Sequence, residues 1–149
     1  MTHLDGEYEP SPAQWVRDQV AEYESSGGQR ANTLADTGLP VVIVTTRGNK
    51  SGKIRKTPLM RVEHDGQYVL VASKGGAPEH PEWYNNLVAA GQATVEVGTS
   101  TFVVTITEVA GDERDRIFAE QVKRMPGFGD YAKQTEGIRT IPVLRLTRR

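Results

Sequence analysis

The sequence predicts an α+β protein whose centre is a small, mainly antiparallel barrel of six strands with flanking helices. Three observations carry that expectation. Apolar residues recur with a period of two in six short runs, tight turns join two pairs of those runs, and helical segments are inserted between them rather than alternating regularly with them. At 149 residues with 37% hydrophobic content and no internal repeat, the chain is long enough to bury one core, and a single domain is expected.

In order along the chain, Ser11 is placed to cap a helix from Pro12 to Ser25. Pro12 would take the first helical position and Gln14 would close a capping box, with Val16, Val20 and Tyr23 on one face. Ser25-Ser26-Gly27-Gly28 ends it, and the polar stretch to Gly38 reads as a linker or lid, so that residues 1–38 form an N-terminal helix and linker and 39–149 the barrel. The first ten residues, polar and closed by Pro10, are expected to be loosely ordered. Strands are expected over Pro40–Thr46, Arg55–His64, Gln67–Ser73, Thr94–Gly98, Thr101–Val109 and Thr140–Thr147. Asp65-Gly66 and Gly98-Thr99-Ser100 supply the hairpin turns. A middle helix starts at Pro81 with Trp83, Leu87 and Ala90 on one face; a later one is capped by Asp112 and carries Phe118, Val122 and Met125, followed by a segment from Pro126 to Gly137 holding Phe128 and Tyr131.

The chemistry is concentrated in Arg47–Thr57, where five basic side chains and two glycines crowd one strand-to-strand connection. Glycines let successive backbone N–H groups turn toward one anion, and the cations add charge. Ser73-Lys74-Gly75-Gly76 repeats that chemistry after a neighbouring strand, and two such loops imply one large anionic ligand. The alternative for the first loop is a solvated hairpin kept soluble by lysines. It is not a triphosphate P-loop: Gly48 and Gly52 are too close, Ile54 follows Lys53, and a strand rather than a helix comes next. Net charge −1 and only ten aromatic residues argue against a nucleic-acid partner. The absence of cysteine excludes a thiol nucleophile and disulfides, and His3, His64 and His80 are too scattered for a metal set. No stretch approaches a membrane span and no apolar leader opens the chain, so a cytoplasmic protein is expected. With no acid–base constellation, any reaction is expected to be carried by a cofactor.

Three motifs in fixed order, Pro-Val-Val-Ile-Val-Thr-Thr-Arg-Gly-Asn-Lys-Ser-Gly-Lys-Ile-Arg-Lys-Thr-Pro-Leu (40–59), Val-Ala-Ser-Lys-Gly-Gly-Ala (71–77) and His-Pro-Glu-Trp-Tyr-Asn-Asn-Leu (80–87), resemble the deazaflavin-dependent nitroreductase family of actinobacteria. The resemblance spans about Leu39 to Val143. It implies a split β-barrel of the FMN-binding type and coenzyme F420 as cofactor, with FMN the alternative. By position it implies that Asn49, Lys50, Ser51, Arg55, Lys56, Thr57, Pro58, Leu59 and Met60 line the cofactor, that Val71, Ala72, Ser73 and Lys74 continue that wall, and that Glu82, Trp83, Tyr84, Asn85 and Asn86 close it, with Phe128 nearby. The phosphodiester and polyglutamate tail of the cofactor would suit Lys50, Arg55 and Lys74. No residue is assigned a covalent catalytic role and no metal is implied.

The acceptor would be a small electron-poor molecule such as a quinone, enone or nitro-compound, touched by Ser73, Met125, Phe128 and Tyr131. Family members acting on bulky nitro-compounds carry a tyrosine-rich segment where this chain keeps only Tyr131, so quinones or enones are expected to be better substrates than bulky nitroimidazoles. A non-catalytic carrier or sensor that binds a deazaflavin or another anionic ligand is the remaining alternative. The protein would be a monomer or homodimer, peripheral to the membrane if its acceptor is a quinone.

Overall fold

The computed structural model describes residues 6–34 and 38–149; residues 1–5, which include His3, and 35–37 of the expected linker lie outside the described residues. Within it the elements run α1 (Gln14–Ser25), β1 (Val41–Arg47), β2 (Ile54–Met60), β3 (Val62–His64), β4 (Gln67–Val71), a 3-10 turn at Lys74–Gly76, α2 (Glu82–Ala90), β5 (Gln92–Val97), β6 (Ser100–Val109), α3 (Gly111–Arg124), α4 (Gly127–Thr135) and β7 (Val143–Arg148). The strands form one antiparallel sheet in the order β2-β1-β5-β6-β7-β4-β3.

Seven strands stand where six were expected, because the run from Arg55 to His64 serves two partners. β2 pairs with β1 along Met60↔Val41 to Ile54↔Arg47, while β3 pairs with β4 along Val62↔Val69 to His64↔Gln67. The first ladder ends at Pro40, whose carbonyl still accepts the Arg61 N–H at 2.8 Å, and the chain then passes to a new neighbour. β2 and β3 lie at opposite ends of the strand order with one residue, Arg61, between them. Consecutive Cα atoms are about 3.8 Å apart, so the sheet curls until its two edges approach each other.

Strand alternation sorts the apolar side chains into separate clusters. Val42, Val44, Leu70, Ala93, Val95, Val104, Leu144 and Leu146 pack with Leu87 of α2. Val62, Val69, Val109 and Val143 point to the other side, against Ile117 and Phe118 of α3, Phe128 of α4, and Ile141. Val41 and Ile43 receive Val20 and Tyr23 of α1. β1 is therefore buried on both faces, which explains its unbroken apolar reading.

α1 begins later than expected. Ala13 is extended at the cap position, and the Ser11 hydroxyl accepts the Ala13 N–H at 3.2 Å instead of capping a helix that starts at Pro12. Residues 7–9 are also held, with Ile54 N–H donating to the Glu7 carbonyl (2.8 Å) and Glu9 N–H to the Ile54 carbonyl (2.9 Å), which replaces the loose order expected there by a parallel bridge on the edge of β2. At its far end α1 is pinned to the β5–β6 hairpin: the Gly98 N–H donates to the Tyr23 hydroxyl at 2.7 Å and that hydroxyl donates to the Glu96 carbonyl at 3.3 Å. Gly28 passes so close that a Cβ there would lie 2.5 Å from Gly98 Cα, at φ +81°. β7 starts at Val143 rather than Thr140, after Pro142, whose carbonyl accepts the Ala72 N–H. Among the described residues no helix is long and apolar enough to cross a membrane.

Under α1 lies a small ionisable cluster. Lys56 Nζ donates to both carboxylate oxygens of Glu24 (2.9 and 2.7 Å). Burial, then the hydrogen bond and charge of Glu24, push the Glu96 carboxyl up to about 7. Burial acts on Glu24 too, but its bonds to Glu96 and Lys56 prevail and hold it below the usual 4.5. The sign follows: a carboxyl raised on folding stabilises the fold fully below its unfolded value and loses that contribution as pH climbs through about 7. Urea midpoints are expected to fall between about pH 5 and about pH 8 by the equivalent of ~1 kcal/mol, discounted for half-exposure, and Glu96→Gln should flatten that slope. An unchanged slope in the variant would place the titrating group elsewhere.

Candidate functional site

The basic connection between β1 and β2 is closed by its own backbone. Gly48 N–H donates to the Lys53 carbonyl (2.7 Å), Gly52 N–H to the Gly48 carbonyl (2.9 Å), and the Arg47 guanidinium to the Gly52 carbonyl (2.7 Å). From across the molecule, the buried side chain of Asn86 on α2 accepts the Asn49 N–H at 3.0 Å, tying loop and helix together. The cleft this creates has a volume of about 330 Å³ and is lined by Glu9, Gly48, Asn49, Lys50, Ser51, Arg55, Thr57, Glu82, Trp83 and Asn86. A smaller recess of about 30 Å³, lined by Leu59, Met60, Val62, Leu70 and Val71, adjoins it through Trp83.

Alternation along β2 decides which side chains take part. Arg55, Thr57 and Leu59 stand opposite Thr46, Val44 and Val42, on the face covered by α2. Lys56 and Pro58 point the other way, Lys56 to Glu24 and Pro58 opposite Ile43. The structure thus gathers Asn49, Lys50, Ser51, Arg55, Thr57, Glu82, Trp83 and Asn86 in one cleft and Leu59, Met60 and Val71 in its recess. Ala72 is fully buried and Asn85 is exposed. Tyr84 turns toward Glu108, its hydroxyl donating at 2.6 Å, and burial together with that bond pushes it up to about 12. Ser73 and Lys74 follow the end of β4; Lys74 has φ +47° and pairs with Glu79 at 2.9 Å, a bond that holds Glu79 below its usual range. Phe128 is buried between Phe118 and Tyr131, with ring centroids 6.4 Å from each, and Met125 and Tyr131 pack half-buried against the same cluster.

Glu9 was not anticipated, whereas Gly48 belongs to the glycine-containing basic loop expected to bind an anion. Glu9 lies 3.3 Å from Arg55, and Glu7 lies 3.3 Å from Lys53, so the N-terminal segment lays two carboxylates along the basic loop. Only the run of acidic residues in Glu7-Tyr8-Glu9 hinted at this, and its partner could not be read from it. Lys50 has no carboxylate partner among the described residues. The Thr46 hydroxyl, directly opposite Arg55 on the covered face, is buried without a hydrogen-bond partner. A cationic mouth formed by Lys50 and Arg55, the polar Asn49–Ser51 loop beside it and the indole of Trp83 suit a planar heterocycle carrying an anionic tail.

Comparison with known proteins agrees with that chemistry. A family model described as F420H(2)-dependent quinone reductase matches residues 15–148. A Mycobacterium tuberculosis protein of the same description is 32% identical over 137 residues, covering 91% of each chain. The solved structure of an F420-dependent reductase, FDR-A, is 42% identical with a TM-score of 0.64, covering 72% of this chain and 93% of its own. A second structure, described as a domain-swapped dimer, is 39% identical with a TM-score of 0.66 over 91% of this chain and 99% of its own. The chain therefore belongs to the F420H(2)-dependent quinone reductase family and is an oxidoreductase whose cofactor is coenzyme F420.

Proposed function

We propose that the cleft between the 48–53 loop and α2 is the coenzyme F420 site, and that the enzyme reduces a quinone or enone in preference to a bulky nitroimidazole. The observation that supports this most is the convergence of Lys50 and Arg55 with Trp83 on one cleft from two separate elements. When bound, the reduced cofactor supplies the hydride. The chain's part is to bind, orient and exclude water. Lys50 and Arg55 would take the anionic tail, the Asn49–Ser51 loop would offer polar contacts, and Leu59, Met60, Val71 and Trp83 would give the ring an apolar wall. Asn86 would act from behind, keeping the Asn49 amide and its loop in register.

On the acceptor side, Ser73 and Tyr131 would supply the hydroxyls, with Met125 and Tyr131 packed in the cluster that buries Phe128. Few donors there favour an acceptor that needs few oriented hydrogen bonds, hence quinone or enone. The curled sheet would be a split barrel with residues 1–38 as its N-terminal appendage. The reading carries a cytoplasmic setting, peripheral to the membrane for a membrane-borne quinone, and either a monomer or a homodimer.

The test is a fluorescence titration with oxidised coenzyme F420 and, separately, FMN, followed by oxidation of reduced coenzyme F420 with a quinone and with a bulky nitroimidazole. Preferential deazaflavin binding and faster quinone turnover are expected. Preference for FMN would overturn the cofactor assignment, binding without turnover would make the protein a carrier, and equal rates with the nitroimidazole would overturn the acceptor assignment.

A further inference from the structure

We propose that Arg139, in the connection between α4 and β7, is a positioning residue for the reaction, fixing the Ser73–Ala77 turn and the ring of His80 without touching cofactor or acceptor. The inference rests on the cleft being the cofactor site. Its guanidinium donates four ways: from Nε to the Ala77 carbonyl (3.0 Å), from Nη1 to the Ala72 carbonyl (3.1 Å) and to His80 Nδ1 (3.0 Å), and from Nη2 to the Ser73 carbonyl (2.8 Å). These partners span the whole passage from the end of β4 to the start of α2. That passage carries Ser73 and Lys74 at one end and delivers Glu82, Trp83 and Asn86 to the cleft at the other.

The turn needs such a clamp. Lys74 sits at φ +47°, a conformation that a non-glycine residue adopts at a cost, and the turn holds itself together with few bonds of its own: Ser73 N–H to the Val71 carbonyl, Gly76 N–H to the Ser73 carbonyl and Ala77 N–H to the Lys74 carbonyl. Gln134 of α4 adds one more from outside, donating to the Gly76 carbonyl at 2.9 Å. Arg139 forms no ion pair with a carboxylate among the described residues; its bonds go to carbonyls and an imidazole. A half-buried cation is costly to desolvate, and here the recovered interaction is geometric, since a planar fork can satisfy three divergent carbonyls at once.

The same contact sets the His80 tautomer. A guanidinium only donates, so Nδ1 must accept and the proton of the neutral ring sits on Nε2. Burial, then the nearby guanidinium charge, lower the His80 pKa against the opposing pull of Glu108, which favours that neutral form. The ring is further fixed by Tyr84, 4.7 Å away between centroids and itself tied to Glu108. Ser73, whose carbonyl is clamped, shows no hydrogen bond from its hydroxyl among the described residues.

Arg139→Lys tests this, because an ammonium on a shorter stem keeps the charge but cannot reach three carbonyls and a ring nitrogen together. Nitrogen NMR of the His80 ring and the amide resonances of residues 73–77 give a readout that needs no cofactor; titration with coenzyme F420 and steady-state kinetics give the second. Expected are a folded protein, a changed His80 tautomer signature, shifted turn amides, and roughly 10- to 100-fold lower kcat/KM carried mainly by KM, the scale of loss for a displaced binding element. Arg139→Gln, whose amide nitrogen ends two bonds short of the Nη1 position and carries no charge, should lose the His80 contact as Arg139→Lys does. A folded Arg139→Lys protein with unaltered His80 and turn resonances would overturn the proposal. So would shifted resonances with unaltered KM. If the parent protein fails to bind coenzyme F420, the site assignment falls, and with it the kinetic role of Arg139, while the resonances still decide whether it clamps the turn.

Discussion

Replacing Lys50 and Arg55 together by alanine is expected to weaken coenzyme F420 binding about 100-fold. Each is a cation lining one cleft, and a hydrogen bond to a charged group contributes roughly 1.5–3 kcal/mol. The two do not contribute equally. Lys50 is exposed and has no carboxylate partner among the described residues, whereas Arg55 must first give up Glu9 at 3.3 Å, a half-exposed pair of about 0–1 kcal/mol. A net loss of about 3 kcal/mol, or two orders of magnitude, remains. The loss should shrink as ionic strength rises, since the contacts are accessible to solvent. Fluorescence titration at low and high salt measures both effects. Unchanged affinity in the folded double variant would return the loop to the role of a solvated hairpin.

Leu87→Ala is expected to cost about 3 kcal/mol of stability, within the range found for buried leucines truncated in well-packed cores. Leu87 is fully buried and is the α2 side chain at the centre of the cluster of Val42, Val44, Val95 and Leu144, with Trp83 and Tyr84 packed at its edge. For a chain of 149 residues that corresponds to a melting temperature lower by roughly 6–12 °C. Because the same helix carries Glu82, Trp83 and Asn86 into the cleft, coenzyme binding should weaken as well. Val88, next along the helix, is 48% exposed, and Val88→Ala should stay within about 0.5 kcal/mol. Urea unfolding of the two variants side by side measures the contrast, and similar losses would mean that α2 does not present the face described.

What could be read from the sequence was whatever is local. Asp65 at φ +51° followed by Gly66 at φ +77° is the hairpin turn that the dipeptide announces, and Gly98 at φ +62° marks the other. Pro81 precedes α2 as expected; the convergence of the basic loop and α2 on one cleft is long-range, and it was the family resemblance, not any local pattern, that implied it. The failures share a cause. The change of partner at Arg61 leaves the two-residue period intact, so nothing in the run reveals it. On α2 the buried neighbour of Leu87 is Asn86 and not Ala90, because the loop requires an acceptor for Asn49 N–H from a residue far away in sequence. Glu9 and Arg139 act across separations of 46 and up to 67 residues, and no periodicity encodes such contacts.

The passage of the chain through Arg61 from one rim of the sheet to the other also bears on behaviour at high concentration. A β-sheet recruits foreign strands through unpaired rims, and long, flat, regular rims are the dangerous ones. Here one rim strand is three residues long, and the other contains Pro58, which has no N–H to offer, alongside Lys56 and the bridge from Tyr8 to Ile54. An apolar sheet can in this way remain a poor template for fibrils while leaving its cleft open to solvent.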